Sequence, residues 1–167
     1  MSYLGSPLTG GHRAFVPGPV PTMGNHRISM RGGKPRLYEA NDQHLPEWQD
    51  ALRKAMQADA PPEPYSGLVH LTLIVVLERP RSHCYTGKRA RELRPTAPQG
   101  FAYARRDLDK QQRAAGDCAT GIWVTDDSRI PWWTPLRVWP GCDWAEAYWG
   151  GPLTEPGAYL HCEELRC

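Results

Sequence analysis

Apolar residues alternate most cleanly between Leu68 and Leu77, where Val69, Leu71, Leu73, Val75 and Leu77 share one side of an extended chain. Leu68, Ile74 and Val76 make the other side mostly apolar as well. A strand with no polar face belongs inside a sheet, with helices over at least one side. His70 interrupts the second side and reads as a core-edge residue rather than a ligand. A different period runs from Asn41 to Ala58. There Leu45, Trp48, Leu52 and Ala55 with Met56 recur at helical spacing. Asn41, Asp42 or a neighbour can cap this helix, Pro46 suits an early position, and the prolines of 59–64 end it. Its stripe is core and carries no chemistry.

Weaker patterns fill in the chain. Residues 12–18 hold a short extended segment at Ala14-Phe15-Val16, followed by the turn-forcing run Pro17-Gly18-Pro19-Val20-Pro21. Two short strands around Gly32-Gly33 fit residues 24–38. A short helix fits Asp107 to Thr120, with Gly121 able to end it. Its apolar face is thin (Leu108, Ala114, Ala115, Cys118 and Ala119), and Gln111, Gln112 and Gly116 weaken it. Another strand lies within Arg129–Trp139, where Pro131 and Pro135 mark an edge or bulge. The last strand runs from Ala158 to Leu165. Trp132, Trp133, Trp139, Trp144 and Trp149 read as core or a subunit contact. Residues 1–12 read as a flexible end.

Composition adds bounds. A chain of 167 residues suits a single domain, 1–167, with a moderate core. No apolar run reaches membrane-spanning length, and Met1 to Gly11 lacks the pattern of a secretory signal, so a cytoplasmic protein is expected. The five cysteines are odd in number and match no zinc spacing; reduced thiols are expected. Charge changes the picture more. From Arg79 to Arg113 ten Lys/Arg stand against three acids, although the whole chain is only +2. Residues 79–104 within that block lack apolar periodicity and read as a basic loop over a phosphate backbone. A solvated basic loop is the bland alternative for such a run.

The candidate chemistry lies just downstream. Asp107 and Asp109 open the short helix, and Asp126-Asp127 arrive after it. Residues two apart on a helix point about 200° from each other, so the first pair can share a cation only with Asp107 at or before the cap. Of the adjacent pair, one acid would face the site and the other support it. Asp109, Arg113 and Asp117 lie along one helix face, and Lys110 follows Asp107 by three residues. Clustered carboxylates with neighbouring cations suit a hard divalent metal and hydrolysis of a phosphodiester, with Arg105 and Arg106 positioning the backbone. The plain alternative is a pair of exposed helix-cap acids.

Arg106-Asp107-Leu108-Asp109-Lys110, then Arg113-Ala114-Ala115, Asp117, Trp123 and Asp126-Asp127, resemble the signature of RusA-like Holliday junction resolvases of phage and prophage type. Similarity extends to Ala51-Leu52-Arg53-Lys54-Ala55-Met56 and to Ser82-His83-Cys84-Tyr85-Thr86-Gly87-Lys88, over roughly residues 13 to 165. The resemblance implies a homodimeric α+β fold: a small mixed β-sheet packed by two main helices. It implies a Mg²⁺-dependent endodeoxyribonuclease, with Mn²⁺ substituting, that resolves four-way DNA junctions in recombination and repair without an organic cofactor. Asp107, Asp109 and Asp127 would be metal ligands and Asp126 an accessory acid. Arg81, Lys88, Arg89 and Arg91, with Arg105 and Arg106, would contact DNA. Two alternatives stay open: a nuclease with broader preference for flaps and forks, and a junction-binding protein that does not cut. The chain departs from the family in two places. Arg113 stands where a lysine is frequent; Lys110 replaces it if a proton must move, and Arg113 serves if a phosphate is only steadied. Gln111 and Gln112 stand where apolar residues are usual.

Overall fold

In the computed structural model, residues 8–23, 26–31, 34–39, 43–103 and 107–165 are described. The elements in chain order are β1 (His12–Pro17), β2 (His26–Arg31), β3 (Lys34–Glu39), α1 (Leu45–Ala58), β4 (Val69–Val76), α2 (Leu108–Ala119), β5 (Trp132–Val138), α3 (Asp143–Trp149) and β6 (Gly157–Glu164). The fold is α+β, with a four-stranded mixed sheet in the order β1-β6-β4-β5.

Strand β4 explains this arrangement. All eight of its residues are buried. It pairs antiparallel with β6, Leu73 opposite Leu160, and parallel with β5, Val75 beside Arg137. Both of its edges and both of its faces are therefore covered, as its pattern requires. Val69, Leu71, Leu73 and Val75 pack with α1 residues Trp48, Leu52 and Met56 and with Ala115, Cys118 and Ala119 of α2. Ile74 and Val76 pack on the opposite side with Leu136, Val138, Tyr148, Trp149 and Leu153. Each buried leucine here contributes roughly 1.5–3 kcal/mol of burial free energy.

That second layer includes α3, which sequence patterning had not separated from the tryptophan-rich stretch. Seven residues are too few to show a helical period. Trp139 and Trp149 belong to the interior, whereas Trp132 is 59% exposed. Helix α1 starts at Leu45 rather than Asn41, with His44 at the cap position and no side-chain cap bond. Asn41 and Asp42 lie outside the described residues. Strands β2 and β3 pair with Arg31 opposite Lys34, which leaves the two-residue Gly32-Gly33 connection between them; those glycines also lie outside the described residues. Pro135 sits within β5, an edge strand, where a missing N–H is tolerated.

Helix α2 lies across β5 and reaches it by close approach. A Cβ on Gly116 would come within 3.2 Å of the Trp133 ring. The glycine that weakens the helix locally is thus the contact that lets it dock. Gly121, with φ of +79°, takes the left-handed position just past the helix end.

Gly116→Leu is expected to destabilise the protein by about 1–3 kcal/mol through overpacking against Trp133. Urea unfolding measures this. An unchanged midpoint would mean that the ring does not occupy that position.

Candidate active site

Asp107 sits at the N-cap of α2 in extended backbone, yet its carboxylate makes no cap bond. An aspartate at this position ordinarily accepts from the N–H groups of the first turn. Here Oδ2 instead accepts from Lys110 Nζ at 2.7 Å. Asp107 is thus an exposed acid at the cap position whose carboxylate bonds Lys110 instead of the first-turn N–H groups. The Lys110 ammonium, by hydrogen bond and charge, holds the carboxyl below the ordinary aspartate range, and Arg137 adds to this through its charge. Asp109 lies in the first turn, exposed, where the helix dipole favours an anion.

Beneath that turn lies a polar contact inside the core. Gln111 is 1% exposed. Its Nε2 donates to the Val20 carbonyl at 2.8 Å, and its Oε1 accepts from Arg137 Nη2 at 2.8 Å. The expectation that Gln111 weakens packing is corrected: its amide is satisfied on both sides, and it ties α2 to the Pro-rich turn after β1 and to β5. Arg137 is half-buried, and this burial pushes the guanidinium down from its ordinary value while Asp107 opposes the shift. It remains a cation.

The second acid pair is delivered by a well-anchored turn. Trp123 is fully buried, and its indole N–H donates to the Met56 and Asp59 carbonyls at 3.1 and 3.2 Å. Tyr65 N donates to the Trp123 carbonyl and Thr125 N to the Tyr65 carbonyl, fixing the chain up to Asp126. Asp126 Oδ1 accepts from Ser128 N at 2.9 Å and caps the short 3-10 turn Asp127–Arg129. The Ser128 bonds hold the Asp126 carboxyl below its ordinary value. Asp126 thus caps this turn, and Asp127 begins it, against α2.

The structure brings Asp107, Lys110, Gln111 and Arg137 together at the head of α2. It places Asp109, Arg113 and Asp117 on its exposed side. It does not draw three carboxylates into one cluster: among the described residues, no three His, Cys, Asp or Glu side chains are grouped to hold a metal. Asp107 and Asp109, exposed at the head of α2, are the kind of oxygen donors a hard cation takes, whereas Asp127, also exposed, lies on the turn that leads into β5 and is not grouped with them. Arg105 and Arg106 lie outside the described residues.

The basic loop is folded rather than loose. Arg94 N donates to the His83 carbonyl and Tyr85 N to the Glu92 carbonyl, and Cys84 bridges Leu93. At its base, Arg79 donates to the carbonyls of Pro98 and Pro140 and to Gln99 Oε1. Arg89 pairs with Glu92 and stacks on Tyr85. Arg81, Lys88, Arg89 and Arg91 are all exposed. The loop returns along β5, where Ala102 N donates to the Arg137 carbonyl. Its far end and the head of α2 therefore meet at the same edge of the sheet.

Sequence reasoning missed Arg137 and the role of Gln111. The available signal was a single arginine between Leu136 and Val138 in a strand, opposite a helix whose inner face carried a glutamine.

Exposed aspartates at a helix start thus stand downstream of a loop that carries exposed cations. The family model for endodeoxyribonuclease RusA matches residues 17–141, about three quarters of the 167-residue chain. The chain belongs to the RusA family of endodeoxyribonucleases. The match contains both acid pairs, α2, β5 and the basic loop, and it stops short of α3 and β6. No curated protein matches the chain. No helix among the described residues is long and apolar enough to cross a membrane.

Because the Asp107 carboxyl is depressed, its pair with Lys110 favours the fold above the ordinary aspartate pKa of about 3.9 and loses that contribution as pH falls below it. Lys110→Met is expected to raise the Asp107 pKa toward its ordinary value, read by carboxyl-carbon NMR titration. An unmoved titration would show that the pair does not form in solution.

Proposed function

We propose that this protein is a divalent-metal-dependent endodeoxyribonuclease that cuts four-way DNA junctions as a homodimer and serves recombination and repair. The observation that carries the reading is the pair of aspartates at the head of α2, with Asp107 at the cap position but not used as a cap. Family membership and the neighbouring exposed cations support it.

Asp107, Asp109 and Asp127 would hold Mg²⁺, or Mn²⁺ in its place, and the ion supplies neutralisation of phosphate charge and an activated water when bound. Asp126 fixes the turn from which Asp127 projects. Lys110 pairs with Asp107 and would balance its charge at the site. Arg113, exposed on the Asp109 side, steadies a phosphate as a fixed charge, since an arginine does not give up its proton. Arg81, Lys88, Arg89 and Arg91 line the approach and grip the backbone without reading sequence. A two-fold symmetric dimer would present two such sites to the two strands that must be cut.

The test is cleavage of a synthetic four-way junction, a fork and a duplex, with and without Mg²⁺. The expected result is junction cleavage that needs the metal. Asp107→Asn, Asp109→Asn and Asp127→Asn should each bind the junction yet cut at least about a hundredfold more slowly, the scale of losing one transition-state contact. Equal cutting of forks would broaden the substrate class. Metal-independent cutting, or Asn variants as fast as wild type, would remove the proposal.

A further inference from the structure

We propose that Gln111 and Arg137 form a phosphate-positioning pair: buried Gln111 holds the Arg137 guanidinium at the head of α2, where it receives a phosphate of the cleaved DNA strand. The inference rests on the nuclease reading above and adds two residues to it.

Three observations carry it. First, a glutamine on the inner face of a helix is costly to bury unless both ends of its amide are bonded. Gln111 is 1% exposed, and both ends are bonded. One partner, the Val20 carbonyl, needs only a donor; the other, Arg137, is the only one that brings charge. Second, the guanidinium is placed rather than trailing. Its backbone is fixed in β5 between buried Leu136 and Val138, and its carbonyl accepts from Ala102 N. The glutamine oxygen then sets the direction of one Nη. An arginine oriented in this way loses little further freedom when it binds an anion. Third, it lies near the head of α2: Gln111, which accepts from Arg137, donates its own N–H to the Asp107 carbonyl, and the charges of Asp107 and Arg137 act on each other.

Arg137 is half-buried, where a charge acts more strongly than at an exposed site such as Arg113, because less water screens it. It also stands where the basic loop returns to β5. Arg113 is exposed, and the better-oriented cation of the site is Arg137.

The experiment uses the full chain as wild type, Gln111→Leu, Arg137→Lys and Arg137→Met, with Asp107→Asn as the inactive reference. Three readouts are taken: thermal unfolding, junction affinity in EDTA, and single-turnover cleavage in Mg²⁺ at saturating protein. Well below its unfolding temperature, Arg137→Met is expected to cut about a hundredfold more slowly, the scale of losing one fixed charge-stabilising group. Gln111→Leu, which keeps the arginine but releases its orientation, is expected to cut about tenfold more slowly. Arg137→Lys should fall about tenfold as well, since it keeps the charge without the planar fork. Junction affinity should stay within about threefold in all of them, because the exposed cations of the loop dominate binding. Folded Arg137→Met or Gln111→Leu protein that cuts at the wild-type rate overturns the inference while leaving the nuclease reading intact. If both of those fail to fold, Arg137→Lys decides: slowed cutting at unchanged affinity supports the pair, and wild-type cutting overturns it. A wild type inert toward every branched DNA in Mg²⁺ and Mn²⁺ overturns the nuclease reading and this inference with it.

Discussion

Strand β4 has apolar side chains on both faces and hydrogen-bonded neighbours on both edges, and the remaining elements arrange themselves to satisfy it. A strand of this kind leaves no face for water, so one layer cannot stabilise it. Helices α1 and α2 cover one side and α3 with the 150–153 turn covers the other. Because β5 lies on the outer edge and runs parallel to β4, its C-terminal end sits beside the C-terminal end of β4. The basic loop leaves from the same end of β4. Loop, edge strand and the head of α2 converge there for topological reasons, before any functional residue is considered.

Chemistry is then set by how α2 meets β5. At one end Gly116 admits the Trp133 ring, and at the other Gln111 bonds Arg137. The first contact is apolar and brings the helix close. The second is polar and fixes its first turn, from which Asp107 and Asp109 project. A wholly apolar inner face would pack the helix equally well and leave Arg137 without this orienting bond. The polar residue in the helix interior is therefore consistent with a site that needs an oriented cation more than it needs the last increment of stability. Lys110, Arg113 and Arg137 divide the positive charge among an ammonium paired with Asp107, an exposed guanidinium and a half-buried one.

Much of the frame was legible in the sequence, because long apolar patterns survive without context. β4, the α1 stripe and the last strand were readable from period alone, and the Arg31 to Lys34 hairpin from its glycine pair. Asp107 and Asp109 were read at the start of the short helix, and they stand at its cap and in its first turn. Helix α3 was not legible: seven residues give too few repeats, and its tryptophans fit a strand or a loop equally well. Gln111 was read as a fault, because its partners lie 91 residues upstream and 26 downstream and are joined to it only by the fold. Arg137 was overlooked for the same reason.

The central proposal is that the head of α2 and the 127–129 turn serve one divalent cation. Paramagnetic broadening by Mn²⁺ tests it most directly, followed on the backbone amide signals of isotope-labelled protein. The account predicts that Asp107, Asp109 and Asp127 broaden first and together, and that Asp109→Asn weakens the effect at all three. Broadening confined to one end of α2, or spread over unrelated acids while these three stay sharp, would contradict it.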